Sequence, residues 1–250
     1  MHEKSQRVGR MFNRIAARYD LLNHLLSGGS DFYWRKVALD AIGLKPDALI
    51  LDLCVGTADL ALGAMRRNQG PHLVVGVDLA LDMMRIGQEK AAQLNGVRFV
   101  CGNAEELPFK ENEFDGAMVA FGVRNLADIP VGLKNIHHTL KPGGRFVVLE
   151  LSRPRMAGFR DLYQVYFRHV LPRLGGLISG DGSAYRYLHT SVMEFPERER
   201  FIDLMDQAGY TATGYRDLSM GIATLYWGEK PDPQPATRNP QLASCANTSS

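Results

Sequence analysis

The chain has 250 residues, 45% of them apolar and 22% charged, with a formal net charge of +2, the profile of one full-sized globular domain carrying an insertion or a small lid. Scattered Lys and Arg give no case for nucleic acid, and no apolar run approaches the roughly 20 residues that span a bilayer. The polar start, Met1 to Arg7, lacks a signal-peptide core, and Cys54, Cys101 and Cys245 have neither metal spacing nor an even count, so no metal is expected and the protein is expected in the cytoplasm.

In chain order, Val8, Met11, Phe12, Ile15 and Ala16 share one face of a helix predicted over Arg7–Arg18, punctuated by Tyr19-Asp20 and by Ser27-Gly28-Gly29-Ser30. A second helix is expected from Asp31 to Ile42. From Ala48 strand and helix alternate. Strands are predicted at Ala48–Leu53, Leu73–Asp78, Val97–Cys101, Asp115–Phe121 and Arg145–Leu151. Helices follow Thr57 and occupy Leu81–Leu94 and Ile129–Leu140. Cys54 and Cys101, in strand-like contexts, are expected to be buried free thiols. After Pro154 the alternation stops: Phe159–Leu177 is aromatic and aliphatic, and Tyr185–Met193 is a short aromatic-rich stretch. A helix at Glu197–Ala208 and two β-runs, Tyr210–Leu218 and Ile222–Trp227, close the pattern. Two runs joined by a short turn are antiparallel. The expected fold is therefore α/β: a mostly parallel, Rossmann-like sheet of seven strands ending in an antiparallel hairpin, with N-terminal helices and a helical insertion after strand five.

The run Leu51 to Leu60, followed by Val74-Val75-Gly76-Val77-Asp78, carries the chemistry. A buried strand ends in a small-residue turn and a second strand ends in a carboxylate, the arrangement by which open α/β sheets hold an adenosyl cofactor. Gly56 alone also suits an ordinary tight turn, and Asp78 alone suits a helix N-cap; their order at successive strand ends favours the ligand. The loop has one glycine, so a pyrophosphate is disfavoured, and no Gly-Lys-Ser/Thr follows, so a P-loop is excluded. The terminal hairpin points to the class I S-adenosylmethionine-dependent methyltransferase fold. Asn103 after strand three suits the adenine edge, and Ala120 ends strand four beside the expected methyl donor. Residues 1–45 then read as a helical cap, 46–152 as the cofactor-binding core, 153–196 as a helical substrate lid, 197–230 as the completing helix and hairpin, and 231–250 as a disordered tail.

The chain also resembles the ubiquinone/menaquinone biosynthesis C-methyltransferase family. The likeness is carried by Ala17 to Asn23, Asp52 to Asp59, Asn103 to Phe109, Phe121-Gly122-Val123-Arg124-Asn125, Leu149 to Pro154, Tyr185-Arg186-Tyr187-Leu188 and Gly221 to Leu225. It implies cofactor contacts at Thr57, Asp78, Asn103 and Ala104, beside Gly56, which the loop itself already offers. Ala120 stands where some members have serine, so only its backbone is expected to touch the cofactor. Ala58 replaces a more common glycine, and alanine suits that turn only at negative φ.

The implied reaction is transfer of a sulfonium methyl to a ring carbon of a prenylated quinol, with demethylmenaquinol favoured over a benzoquinol. The alternatives are another phenolic or lipid acceptor for the same fold, or a non-catalytic cofactor-binding scaffold. Arg124 is expected to stabilise phenolate charge and Asn125 to orient the ring; the alternative for Arg124 is a structural ion pair. Tyr19 and Asp20 are expected to close over the cofactor, Asp20 as a base through water, although a helix end with a solvated carboxylate is the alternative. Tyr185, Tyr187 and Arg153 are expected at the substrate, and His169 or His189 as further acid–base candidates. The prenyl tail implies peripheral contact with the inner face of the membrane, through apolar residues such as Tyr163, Val165 and Tyr166 flanked by Arg160, Arg168 and Arg173. A homo-oligomer is compatible with the sequence.

Overall fold

The computed structural model describes residues 3–166, 168 and 182–232. Seven strands form one sheet: β1 (Leu49–Leu53), β2 (Leu73–Asp78), β3 (Val97–Cys101), β4 (Phe114–Ala120), β5 (Leu140–Leu151), β6 (Thr211–Leu218) and β7 (Ala223–Glu229). Their order is β3-β2-β1-β4-β5-β7-β6. The first five run parallel, and β7 pairs antiparallel with both β5 and β6, as the short link between the last two β-runs requires. Strand order reverses at β1, so the crevice beyond the C-terminal ends of β1 and β4 is where an open sheet of this kind holds a ligand.

Continuous apolar strands arise because both faces are covered. Ile50, Val74, Met118 and Val147 point into one core with Trp34, Leu39 and Leu62. Leu51, Leu53, Val119 and Val148 point into the other with Leu133, Phe146 and Phe201. The covering helices are α1 (Glu3–Leu26), α2 (Ser30–Ile42), α3 (Asp59–Met65), α4 (Leu81–Ala91), α5 (Ile129–Thr139), α6 (Phe159–Val165), α7 (Gly182–Glu194) and α8 (Glu199–Gln207). Asp128 caps α5 by accepting from the Val131 amide at 3.0 Å, with Pro130 in the first turn.

Four expectations are corrected. Helix α1 continues through Tyr19-Asp20 to Leu26, because neither residue breaks a helix and Leu22, one turn on, is buried. Lys141 to Gly144 does not precede β5 but forms a register shift within it, against Phe114 and Gly116. Cys101 is exposed, since β3 is an edge strand. Ala58 adopts φ 67°, the left-handed conformation that alanine was expected to avoid. Cys245, residues 233–250 and most of the insertion, including His169 and Arg173, lie outside the described residues.

Candidate active site

Two cavities meet at the C-terminal ends of β1 and β4. The smaller is lined by Gly56, Asp78, Gly102, Asn103, Ala104, Ala120, Gly122 and Asn125, and roofed by Ser5, Val8, Gly9, Phe12 and Tyr19 of α1. The larger, about 510 Å³, is lined mainly by apolar side chains of α1, α2, α6 and α7. Phe12, Tyr19 and Phe121 line both. They are the partition between the two spaces.

The smaller cavity is built from the backbone outwards. Asp78 ends β2 with Oδ2 accepting from the Gly56 amide at 2.8 Å and Oδ1 from the Ala80 amide at 2.8 Å. One carboxylate thus ties the loop after β1 to the turn before α4, whose N-cap is Ala80 without a side-chain cap, so Asp78 is not the helix N-cap that the sequence also allowed. Burial raises its pKa, although those amides oppose the shift. Gly56 sits at φ 52°. Gly122 has no room for a side chain: a Cβ there would lie 2.5 Å from the Cys54 Cβ. Asn103 donates to Glu105 Oε2 at 3.0 Å and accepts from the Glu105 amide at 3.2 Å, which fixes its amide at the cavity wall. Small backbone-forward residues, a terminal carboxylate and a fixed amide are the donor set an adenosyl group needs. The space is not: it amounts to about 70 Å³, below the ~300 Å³ at which ligand pockets begin.

Thr57 and Asp20 hold α1 down. The Thr57 hydroxyl donates to Asp20 Oδ1 at 2.6 Å, and Lys90 pairs with Asp20 Oδ2 at 2.5 Å. Asp20 is therefore bound to the cofactor loop and a lysine, and it is absent from the described linings of both cavities. That placement argues against a base working through water. Tyr19, one residue earlier, faces inward. Burial raises its pKa, with Asn23, Arg124 and Arg35 acting against the rise, so it serves as a hydrogen-bond donor at neutral pH.

Arg124 lies in a short turn after β4 (Val123–Asn125) and lines the larger cavity. Its Nη1 donates to Glu150 Oε1 at 2.5 Å and to the Phe121 carbonyl, and its Nε is buried without a partner. Asn125 accepts from the Tyr187 hydroxyl at 3.1 Å, which joins α7 to the motif. Tyr187 lines the larger cavity; Tyr185 is on the same helix, but its side chain lies outside the described set. Arg153 is elsewhere: its guanidinium pairs with Glu197 and lines neither cavity. His189 is on α7 and is not among the described lining residues.

The sequence reading missed most of the larger cavity's wall. Trp34, and a polar edge of Asn23, Ser27, Ser30 and Asp31, come from the α1–α2 hairpin. The available signal was Leu22 and Leu26 alternating with Asn23 and Ser27 at helical spacing. It also missed Glu150, a carboxylate inside the apolar run Phe146–Leu151, where a buried charge demands a partner.

A family model described as the ubiE/COQ5 methyltransferase family matches residues 1–230. A protein of Geotalea daltonii named ubiquinone/menaquinone biosynthesis C-methyltransferase UbiE is 42% identical over 231 residues, covering 91% of this chain and 98% of that protein. A demethylmenaquinone methyltransferase of Thermus thermophilus is 46% identical over 222 residues, covering 88% of this chain and 100% of the relative. Among solved structures, an S-adenosylmethionine-dependent methyltransferase of Thermotoga maritima superimposes with a TM-score of 0.63 at 20% identity, over 88% of this chain and 97% of that one. A phosphoethanolamine methyltransferase of Haemonchus contortus, in complex with S-adenosylmethionine, gives 0.58 at 15% identity, over 79% and 52%. These two likenesses concern the fold.

Proposed function

Because the chain belongs to the ubiE/COQ5 methyltransferase family, and is thereby an S-adenosylmethionine-dependent methyltransferase, we propose that its acceptor is a ring carbon of a prenylated quinol, demethylmenaquinol in the first instance. The observation that carries this reading is the apolar cavity of about 510 Å³ that shares Phe12, Tyr19 and Phe121 with the cofactor cavity. A space of that size and lining suits a hydrophobic ring with part of an isoprenoid tail.

S-adenosylmethionine supplies an electrophilic methyl group. Gly56, Thr57 and Asp78 would hold its ribose side, Asn103 and Ala104 its adenine, and the backbone at Ala120 its methyl end. Arg124, held in place by the Glu150 contact, would favour phenolate character in the acceptor. Asn125, tied to Tyr187, would orient the ring. Asp20 acts as the latch of α1 and Arg153 as an anchor to Glu197, both outside the reaction. Within 153–196, the described residues Phe159, Tyr163 and Tyr187 form one wall of the acceptor cavity. Peripheral membrane contact is supported by Leu21, Leu25, Phe32 and Val165, all more than half exposed on α1, α2 and α6, the helices that contribute to the lining of that cavity. No helix among the described residues is long and apolar enough to cross a membrane.

The test incubates the protein with methyl-labelled S-adenosylmethionine and reduced demethylmenaquinone. Label is expected in the quinone, and its absence would overturn the acceptor assignment; a prenylated benzoquinol run in parallel reports breadth. Asp78→Ala should weaken cofactor binding by calorimetry at least tenfold while the fold is kept. Unchanged affinity would remove Asp78 from the ribose site.

A further inference from the structure

Replacing a ring hydrogen by a methyl group leaves one proton over, and an apolar cavity offers it few acceptors. The four tyrosines lining the described wall (Tyr19, Tyr163, Tyr166 and Tyr187) are held protonated by burial, which raises each pKa. Arg124 carries no lone pair to offer. Among the described lining residues there is no histidine and a single carboxylate, Asp31.

Asp31 is 2% exposed and sits in the first turn of α2. Its Oδ1 accepts from the Ser27 hydroxyl at 2.8 Å, and its Oδ2 contacts His24 Nδ1 at 2.7 Å and the Arg35 guanidinium. A carboxylate has about four acceptor sites, so one on Oδ1 remains for a hydroxyl in the cavity. The His24 side chain is 29% exposed and stacks on Phe32 with ring centroids 4.3 Å apart. The pair therefore runs from the cavity wall to solvent.

We propose that Asp31 and His24 form the route by which the proton released on ring methylation leaves the acceptor cavity, a reading that rests on the quinol assignment above. A substrate hydroxyl hydrogen-bonded to Asp31 Oδ1 loses its proton there; the O–H bond breaks, its electron pair stays on the substrate oxygen, and the ring carbon takes the methyl group as the carbon–sulfur bond breaks. The ring C–H bond then breaks, its electron pair restoring the aromatic ring, and a proton returns to the oxygen, so that one proton in net is left at Asp31. The proton passes to His24 Nδ1, and the imidazolium releases one to water. Asp31 is suited to transit rather than storage. Burial pushes its pKa up, but Ser27, Arg35 and His24 outweigh that and hold it below the ordinary carboxylate value. The charged groups around the pair are Arg35 on α2 and, 3.6 Å behind its guanidinium, Asp59 on α3, which Lys90 of α4 neutralises at 2.7 Å. Asp31 touches the cavity; His24 acts through it as a positioning and relay residue.

The first arm needs neither cofactor nor acceptor. The His24 imidazole nitrogens are observed by ¹⁵N NMR in the wild-type protein and in Asp31→Asn, where loss of the carboxylate hydrogen-bonded to Nδ1 at 2.7 Å is expected to move the Nδ1 chemical shift. An unchanged spectrum would overturn the pairing. In the second arm, Asp31→Asn and His24→Ala should lower kcat about 100-fold, the lower end of the range typical of positioned proton transfer, with KM for the quinol changed less than about threefold. Added imidazole should restore part of the His24→Ala rate, an effect that a purely structural histidine would not show. Wild-type rates in both variants, or no rescue of a folded His24→Ala, would overturn the route. A wild-type protein that methylates no quinol would instead overturn the acceptor assignment, leaving the NMR arm readable.

Discussion

Arg124 holds a buried ion pair and carries a proposed role at the acceptor, two functions that a single substitution would confuse. Its ion pair with Glu150 is buried, at 5% and 0% side-chain exposure, and removing one partner of such a pair costs about 3–5 kcal/mol because the other charge is left uncompensated. Arg124→Ala is therefore expected to lose about 3 kcal/mol of stability as well as turnover, read by chemical denaturation. Arg124→Met combined with Glu150→Gln should recover most of that stability while turnover stays lost; if turnover returned with stability, the charge would have no part in the reaction. Ala58 poses the opposite question, why a left-handed alanine is tolerated. The conformation costs about 1–2 kcal/mol relative to glycine. Its methyl is fully buried, worth about 0.8 kcal/mol, and alanine loses less backbone freedom on folding, worth about 0.4–1 kcal/mol. The terms nearly cancel, so Ala58→Gly is expected to shift unfolding by less than about 1 kcal/mol, and a larger loss by denaturant titration would mean that the methyl supports the turn.

At the scale of elements, α1 is the roof of the smaller cavity. It is held there by an apolar cluster, Phe12, Ala16 and Tyr19 against Ala80, Met83 and Ile86, and by polar contacts that include Asp20 with Thr57 and Lys90, and Asn13 accepting from the Asp82 amide at 3.0 Å. Asp20→Ala removes two of these. It should cost about 1 kcal/mol globally yet speed amide exchange along α1 well beyond that measured in β1 or β4, since local opening draws on the weakest attachments. Uniform acceleration across the molecule would show that α1 does not open by itself. The sequence announced the sheet clearly because Leu49–Leu53, Leu73–Asp78 and Phe146–Leu151 are apolar runs that only a doubly covered strand explains. It announced Asp78 and Asn103 because they sit where such strands end. It did not announce α1 as a wall. Tyr19-Asp20 looks like a boundary when only neighbours in sequence are considered, and the partners that make it mid-helix, Thr57 and Lys90, lie on other elements. Arg124 was legible as a residue just beyond the end of β4, where it lines the larger cavity, but Glu150 was not joined to it, because the pairing crosses from the end of β4 to β5 and no local pattern records that register.

Taken whole, the molecule concentrates buried acid at the end of the sheet where both cavities lie. Asp52 is fully buried in β1 with Oδ2 unpartnered, and burial holds its pKa well above the ordinary carboxylate value; the Ala61 amide opposes the rise and the Asp78 charge adds to it. Asp78 is raised for the same leading reason. A carboxyl group whose folded pKa is raised binds its proton more tightly folded than unfolded. Each therefore lowers stability as pH climbs from the ordinary carboxylate range through its folded pKa. Asp31 has the opposite sign: its folded pKa is depressed, so its contribution is present above the ordinary value and is lost as acid takes the pH down through the folded one. Stability should accordingly peak in mild acid and decline towards neutrality. Asp52→Asn isolates the cause, because asparagine can still accept from the Ala61 amide at the start of α3 without carrying the buried charge. It is expected to raise Tm at pH 7.5 by about 3 °C, the shift that ~1 kcal/mol produces in a chain of this size, and to flatten the decline between pH 5 and pH 7.5. Melting curves across that range decide the matter. A variant less stable than wild type at pH 7.5 would mean that the Asp52 charge is sustained by its surroundings, and the acid held at the sheet's end would then be a resource of the fold rather than a cost borne for the site.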